Sequence, residues 1–188
     1  MDWGWLVVVV VGAVLLLCGI YLWASYNSFV HANARVDEAW AEVLTEVRRR
    51  SELLPPLISA VAEYAPDEKA VFDRATRARS DALAAEEPTE AGRAESHLQQ
   101  AVRSVLVVAD AYPKLQSDKD FLQLQHSLRE IDDQIQVCRR HYNGGVRELN
   151  AKITVFPNSW FAKHRGYSAR AFFEADGATV SEPPRIQF

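Results

Sequence analysis

Trp3 to Trp23, WGWLVVVVVGAVLLLCGIYLW, contains no charged residue. As an α-helix this run rises about 30 Å, the thickness of a bilayer's hydrocarbon core. Trp3 and Trp5 at one end, and Tyr21, Trp23 and Tyr26 at the other, resemble interfacial aromatic belts. A cleaved signal peptide needs a basic n-region and a small-residue cleavage site, yet this chain begins MDWGW. A lipoprotein site at Cys18 is disfavoured by Leu17, where a small residue is expected. Residues 1–25 therefore read as an uncleaved transmembrane anchor.

The N-terminal side of the run carries only Asp2 and the amino terminus, whereas Arg35 and then Arg48 to Arg50 follow it. The positive-inside tendency favours a single-pass protein of the inner membrane, with a short outer N-terminus and the large domain in the cytoplasm. Cys18 and Cys138 suggest no disulfide framework, which fits a reducing compartment. The net charge of −4 gives no electrostatic reason to expect nucleic acid.

Beyond the anchor the chain is helical in pattern. Phe29, Asn33, Val36, Trp40, Val43, Val47, Arg50, Leu54, Leu57, Val61 and Tyr64 keep a strict four-three spacing, a heptad seam. Pro55 and Pro56 remove two amide donors inside it and predict a kink around Ser51 to Leu54. No Gly or Pro separates this seam from the anchor, so a continuous helix is possible. A second helix is expected from Pro66, carrying Phe72, Ala75, Arg79 and Ala82. A third is expected from about Ala91 to Tyr112, striped by Leu98, Val102 and Val105. Ser117 or Asp118 then caps a long fourth helix, whose seam runs from Phe121 through Ile135, Cys138, Tyr142, Val146 and Leu149 to Phe156. Short connections make consecutive helices antiparallel. The expected fold is all-α: an N-terminal transmembrane helix followed by an antiparallel four-helix bundle with long first and last helices. Its domains are 1–25 (anchor), 26–173 (bundle) and 174–188 (tail).

Levelling Phe29 with Phe156 puts Arg50 opposite Ile135, one turn from Asp132, and puts Trp40 opposite Gly145. An Arg50–Asp132 pair is expected, and carbonyls freed near Pro55 could help to satisfy the charge; the alternative is that Arg50 snorkels outwards. Gly144 and Gly145 interrupt a helix where each costs about 1 kcal/mol relative to Ala. They read as a notch for the Trp40 indole, with Asn143 available to its nitrogen; ligand access is the rival. Asn143 and Asn150 read as sources of interhelical hydrogen bonds. Because the fourth helix returns towards the membrane, Trp160, Phe161, Tyr167, Phe172 and Phe173 are expected near the bilayer surface, beside Lys163, His164 and Arg165. Packing over the base of the bundle is the alternative.

No pattern argues for catalysis. There are no Glu-x-x-His pairs for a di-iron site, no phosphate-cradling Gly-rich loop and no G-x-S-x-G elbow. Cys138 and His141 are three apart and could offer two metal ligands, but a seam Cys usually acts as a small buried hydrophobe. No cofactor is expected.

RVDEAW (Arg35–Trp40), RRSELLPPL (Arg49–Leu57), ATRARS (Ala75–Ser80), YPKLQSDKDFLQLQ (Tyr112–Gln125) and YNGGVRELNAKITVFP (Tyr142–Pro157) together resemble the LemA family, over nearly all of Tyr26 to Phe188. The chain departs from the family pattern at Pro56, Asp132, Gly144–Gly145 and Leu149, where Asn, Glu, an acidic-residue–Ala pair and Tyr are usual. The resemblance implies a membrane-anchored helical bundle with a short outer N-terminus, and it attaches no catalytic residues to these motifs. The expected function is a non-enzymatic scaffold or interaction module at a bacterial inner membrane, whose partners are the lipid bilayer and unidentified membrane or envelope proteins. The alternatives are an accessory subunit regulating a membrane enzyme such as a protease, and an enzyme with a site around Arg50 and Asp132. Oligomeric state is left open.

Overall fold

The computed structural model describes residues 3–174; the expected tail lies outside them from residue 175 onwards. Among the described residues every regular element is an α-helix. They are α1 (Trp3–Ala62), α2 (Lys69–Ala84), α3 (Pro88–Asp110), α4 (Pro113–Gln116), α5 (Lys119–Thr154) and α6 (Asn158–Arg165). The apolar run and the first heptad seam form one unbroken helix, α1, as a junction between them free of Gly and Pro allows. From Trp3 to Trp23 its side chains are exposed, and that part is long and apolar enough to cross a membrane. From Phe29 onwards most seam positions are buried, with Asn33 and Trp40 half-buried and Tyr64 exposed.

Pro55 and Pro56 lie inside α1. Pro55 has no N–H for the carbonyl of Ser51, four residues earlier. That orphan is met from another helix, where Arg79 Nε donates to Ser51 O at 2.8 Å. The expected helix start at Pro66 is corrected to Lys69. Pro66 instead occupies a turn closed by Glu68 N–H to Ala65 O at 3.3 Å, which suits its fixed φ. In α3 the first-turn proline is Pro88. At the start of α5, Asp118 Oδ1 accepts from the amides of Asp120 and Phe121, at 3.0 and 2.9 Å.

By packing, the chain forms two units, whose limits cut α1 after Ala39 and α5 after Asn143. Among the described residues, one unit takes 3–39 with Gly144–Arg170. Phe29, Ala32, Val36 and Ala39 are buried there, as are Val146, Leu149 and Ala162. Phe156, expected to close the α5 seam, is exposed instead, because the helix ends at Thr154 and the chain turns through residues 155–157. Ser25 Oγ donates to Asn158 Oδ1 at 2.9 Å, and Lys152 Nζ donates to Ser28 Oγ at 3.0 Å.

The other unit takes Trp40–Asn143 and, among the described residues, 171–174. Val43, Val47, Leu54, Leu57 and Val61 of α1 are buried in it, with Leu98 and Val105 of α3 and Ile131 and Ile135 of α5. Apart from Phe72 the buried residues of α2 are alanines, Ala75, Ala78 and Ala82, and α3 begins with buried Ala91 and Ala94, small residues that let backbones approach closely.

Candidate functional site

Arg50 is the polar centre of the second unit. It sits at a seam position of α1 with only 2% of its surface exposed. Snorkelling is therefore excluded, and both arms of the guanidinium point inwards. Nη2 donates to Asp132 Oδ1 of α5, the expected partner, and Nη1 donates to Glu95 Oε1 of α3. Glu95 is itself buried, at 4%. Sequence reasoning missed it, although a signal existed. Stepping back three residues from Leu98 along the α3 stripe lands on Glu95, a charge where the pattern demands a core residue. The freed Ser51 carbonyl, expected to help Arg50, is occupied by Arg79.

Two carboxylates thus share one cation, Glu95 buried and Asp132 partly open to solvent. Burial pushes Glu95 up from its ordinary 4.5 to about 7, against the opposing pull of the Arg50 charge. Burial also raises Asp132, again opposed by Arg50. Glu95 Oε2 and Arg50 Nε are buried without a hydrogen-bond partner in the protein. With both arms engaged and almost no exposure, Arg50 offers no face to a substrate.

A second cluster in the same unit is aromatic. The half-buried Trp40 ring lies 5.2 Å from Tyr142 and 5.8 Å, edge-on, from Phe173. The Arg139 guanidinium stands 5.2 Å above the Phe173 ring. Asn143 grips the Phe173 backbone at both ends, accepting from its N–H at 2.9 Å and donating to its carbonyl at 3.1 Å. Tyr142 donates to the Ala171 carbonyl at 2.9 Å. A Cβ on Gly92 of α3 would fall on the Glu174 backbone carbonyl, so the strap formed by residues 171–174 needs glycine beneath it.

These contacts correct three expectations. Phe173 is fully buried against Trp40 rather than near a bilayer surface. Asn143 serves the strap and not the indole. The glycine pair is not the notch: Trp40 is taken up by Tyr142 and Phe173, a Cβ at Gly145 would meet Val36 Cγ2 at 3.2 Å, and one at Gly144 would meet nothing within 4 Å. Levelling Phe29 with Phe156 set that register, and Phe156 is not a seam residue.

In the first unit Asn150 makes the same two-sided grip on Arg170, at 2.8 Å to its N–H and 2.9 Å to its carbonyl. The sequence points Asn150 towards a neighbouring helix, whereas it holds irregular chain instead. Tyr167 sets its ring edge-on to Phe29, 5.1 Å between centroids. Trp160 and Lys163 are exposed on α6, which also contains Phe161 and Arg165. Cys138 is buried, while His141 is exposed with Nδ1 3.5 Å from Glu42 Oε2. A cleft of about 520 Å³ between α2 and α3 is lined in part by Arg74, Arg77, Asp81, His97 and Ser104, a mixture of charges without a common target.

The model of the LemA family matches residues 39–188. The chain belongs to the LemA family. The match covers α1 from Ala39, with Arg50, Glu95, Asp132 and the Trp40 cluster all inside it. This LemA-family chain is also similar to magnetosome proteins MamQ 1 and MamQ 2 of Paramagnetospirillum magneticum, at 21% identity over 175 residues. Each alignment covers 79% of this chain and 64% of the relative, so the chain spans just under two thirds of those proteins' length.

Proposed function

We propose that this chain is a membrane-anchored, non-enzymatic scaffold whose helices form a platform for other membrane or envelope proteins. The apolar part of α1 spans the inner membrane once, with the side that carries Arg35 and Arg48 in the cytoplasm. The long α1 and α5, with α2 and α3, pack as an antiparallel four-helix bundle. The observation that carries the reading is the unbroken α1, lipid-suited up to Trp23 and core-forming from Phe29. Span and core-forming seam thus belong to one and the same helix.

The Arg50 cluster supports the same reading. Its charges are committed to one another, and a helix slip would strand one of them in the core. That favours a role in fixing helix register over a role in catalysis. Crosslinking in membranes followed by purification of the full chain tests the proposal. Several unrelated membrane partners are expected. One reproducible enzyme partner would instead favour an accessory subunit, and recovery of the chain alone would contradict both.

A further inference from the structure

α6 starts from a fixed point on α1. The Ser25–Asn158 hydrogen bond lies two residues beyond Trp23, the end of the uncharged run. Two helical residues rise about 3 Å, so the N-terminus of α6 is level with the end of that run. Lys152 to Ser28 and Tyr167 to Phe29 tie the flanking chain to the next turn of α1. The C-terminus of α6 closes at Gly166, whose φ of 72° is left-handed, and Tyr167 N–H then returns to the Ala162 carbonyl at 2.9 Å.

The two faces of α6 differ in character. Asn158 and Ala162 are buried. Trp160, Lys163 and His164, three or four residues apart, share the exposed face, and the Trp160 ring stacks on His164 at 5.3 Å. The turn before α6 adds Val155, 61% exposed, and Phe156, 72% exposed, to Trp160 at 59%. The amide of Ser159 bonds to Val155 O and that of Trp160 to Pro157 O, which keeps these apolar groups within one compact turn. Soluble surfaces rarely gather apolar side chains in this way. At a membrane interface an indole beside a lysine is at home, the ring among the headgroups and the Lys163 charge near anionic lipid.

We propose that Val155, Phe156 and the Trp160–Lys163 face of α6 lie in the headgroup region of the leaflet from which α1 emerges, forming a second lipid contact beside the span. The proposal rests on α1 crossing the bilayer, and it adds a consequence. A helix tethered only by its apolar length is free to rotate about its axis, whereas an interfacial foot fixes that rotation.

The test uses the full chain with Cys18→Ala and Cys138→Ala, in vesicles of phosphatidylcholine and phosphatidylglycerol. Nitroxide labels are attached singly through Val10→Cys, Val107→Cys, Phe156→Cys and Trp160→Cys, and each label's access to oxygen and to a water-soluble nickel chelate is compared. Expected are a deep label at 10, a fully aqueous label at 107, and headgroup depth at 156 and 160. Labels at 156 and 160 as aqueous as the one at 107, with 10 still deep, overturn the proposal and leave the span standing. An aqueous label at 10 overturns the span and the proposal together. Labels at 156 and 160 shielded from both reagents mean that protein covers the patch, which also overturns it.

Discussion

Arg50 carries one positive charge and meets Glu95 and Asp132, so a proton on the more buried carboxylate leaves the cluster neutral. Glu95 is that carboxylate, raised by burial from 4.5 to about 7. Between those pH values the folded chain holds a proton that the unfolded chain has released, so the contribution of Glu95 to stability falls as pH rises across the window. The full shift corresponds to about 3 kcal/mol. Relative to Glu95→Gln, the wild-type chain in detergent should lose stability between about pH 4.5 and about pH 8 by denaturant titration. Parallel pH profiles would refute the assignment. The glycines offer a second residue-scale test. Gly144→Ala enters open space and should raise stability by about 0.5–1 kcal/mol. Gly145→Ala should gain less, since it presses on Val36, whose branched side chain is stiff in a helix. Gly92→Ala should lose about 1–3 kcal/mol by displacing the strap. Thermal melts in the reverse order would contradict these contacts. At this scale the Arg50–Asp132 pair was legible because a charge in a heptad seam demands a partner. The Trp40 environment was not, because its third ring, Phe173, comes from a segment without period.

Among the elements, α1 and α5 were legible because long seams repeat often enough to define a face. α4 and α6 have too few residues to show a period, and Pro66 marks a turn as readily as a helix start. The Asn143 and Asn150 grips are not legible in the sequence, because an amide on a helix face says nothing of what it will hold. Pro55 gives a test of how α1 tolerates a missing donor. Arg79→Ala alone leaves the buried Ser51 carbonyl unpaired and should cost about 1–3 kcal/mol. Pro55→Ala restores an N–H to that carbonyl, so Arg79→Ala should cost clearly less in its presence. Strictly additive effects in this double-mutant cycle would show that Arg79 does not replace the lost backbone bond.

For the molecule as a whole, family membership was legible in five motifs and their order, and the match over residues 39–188 bears it out. That match leaves the first part of α1 outside it, so the anchor rests on physical grounds, the apolar run and its continuity with the core helix. The scaffold reading depends on that anchor. Alkaline carbonate extraction tests it most directly, comparing the wild-type chain with one carrying Val10→Asp and Leu15→Arg. Each charge near the centre of a span costs about 2.5–3.5 kcal/mol on insertion scales. The account predicts that the wild-type chain stays with the membrane pellet and that the charged variant is released. Release of the wild-type chain by carbonate would contradict it.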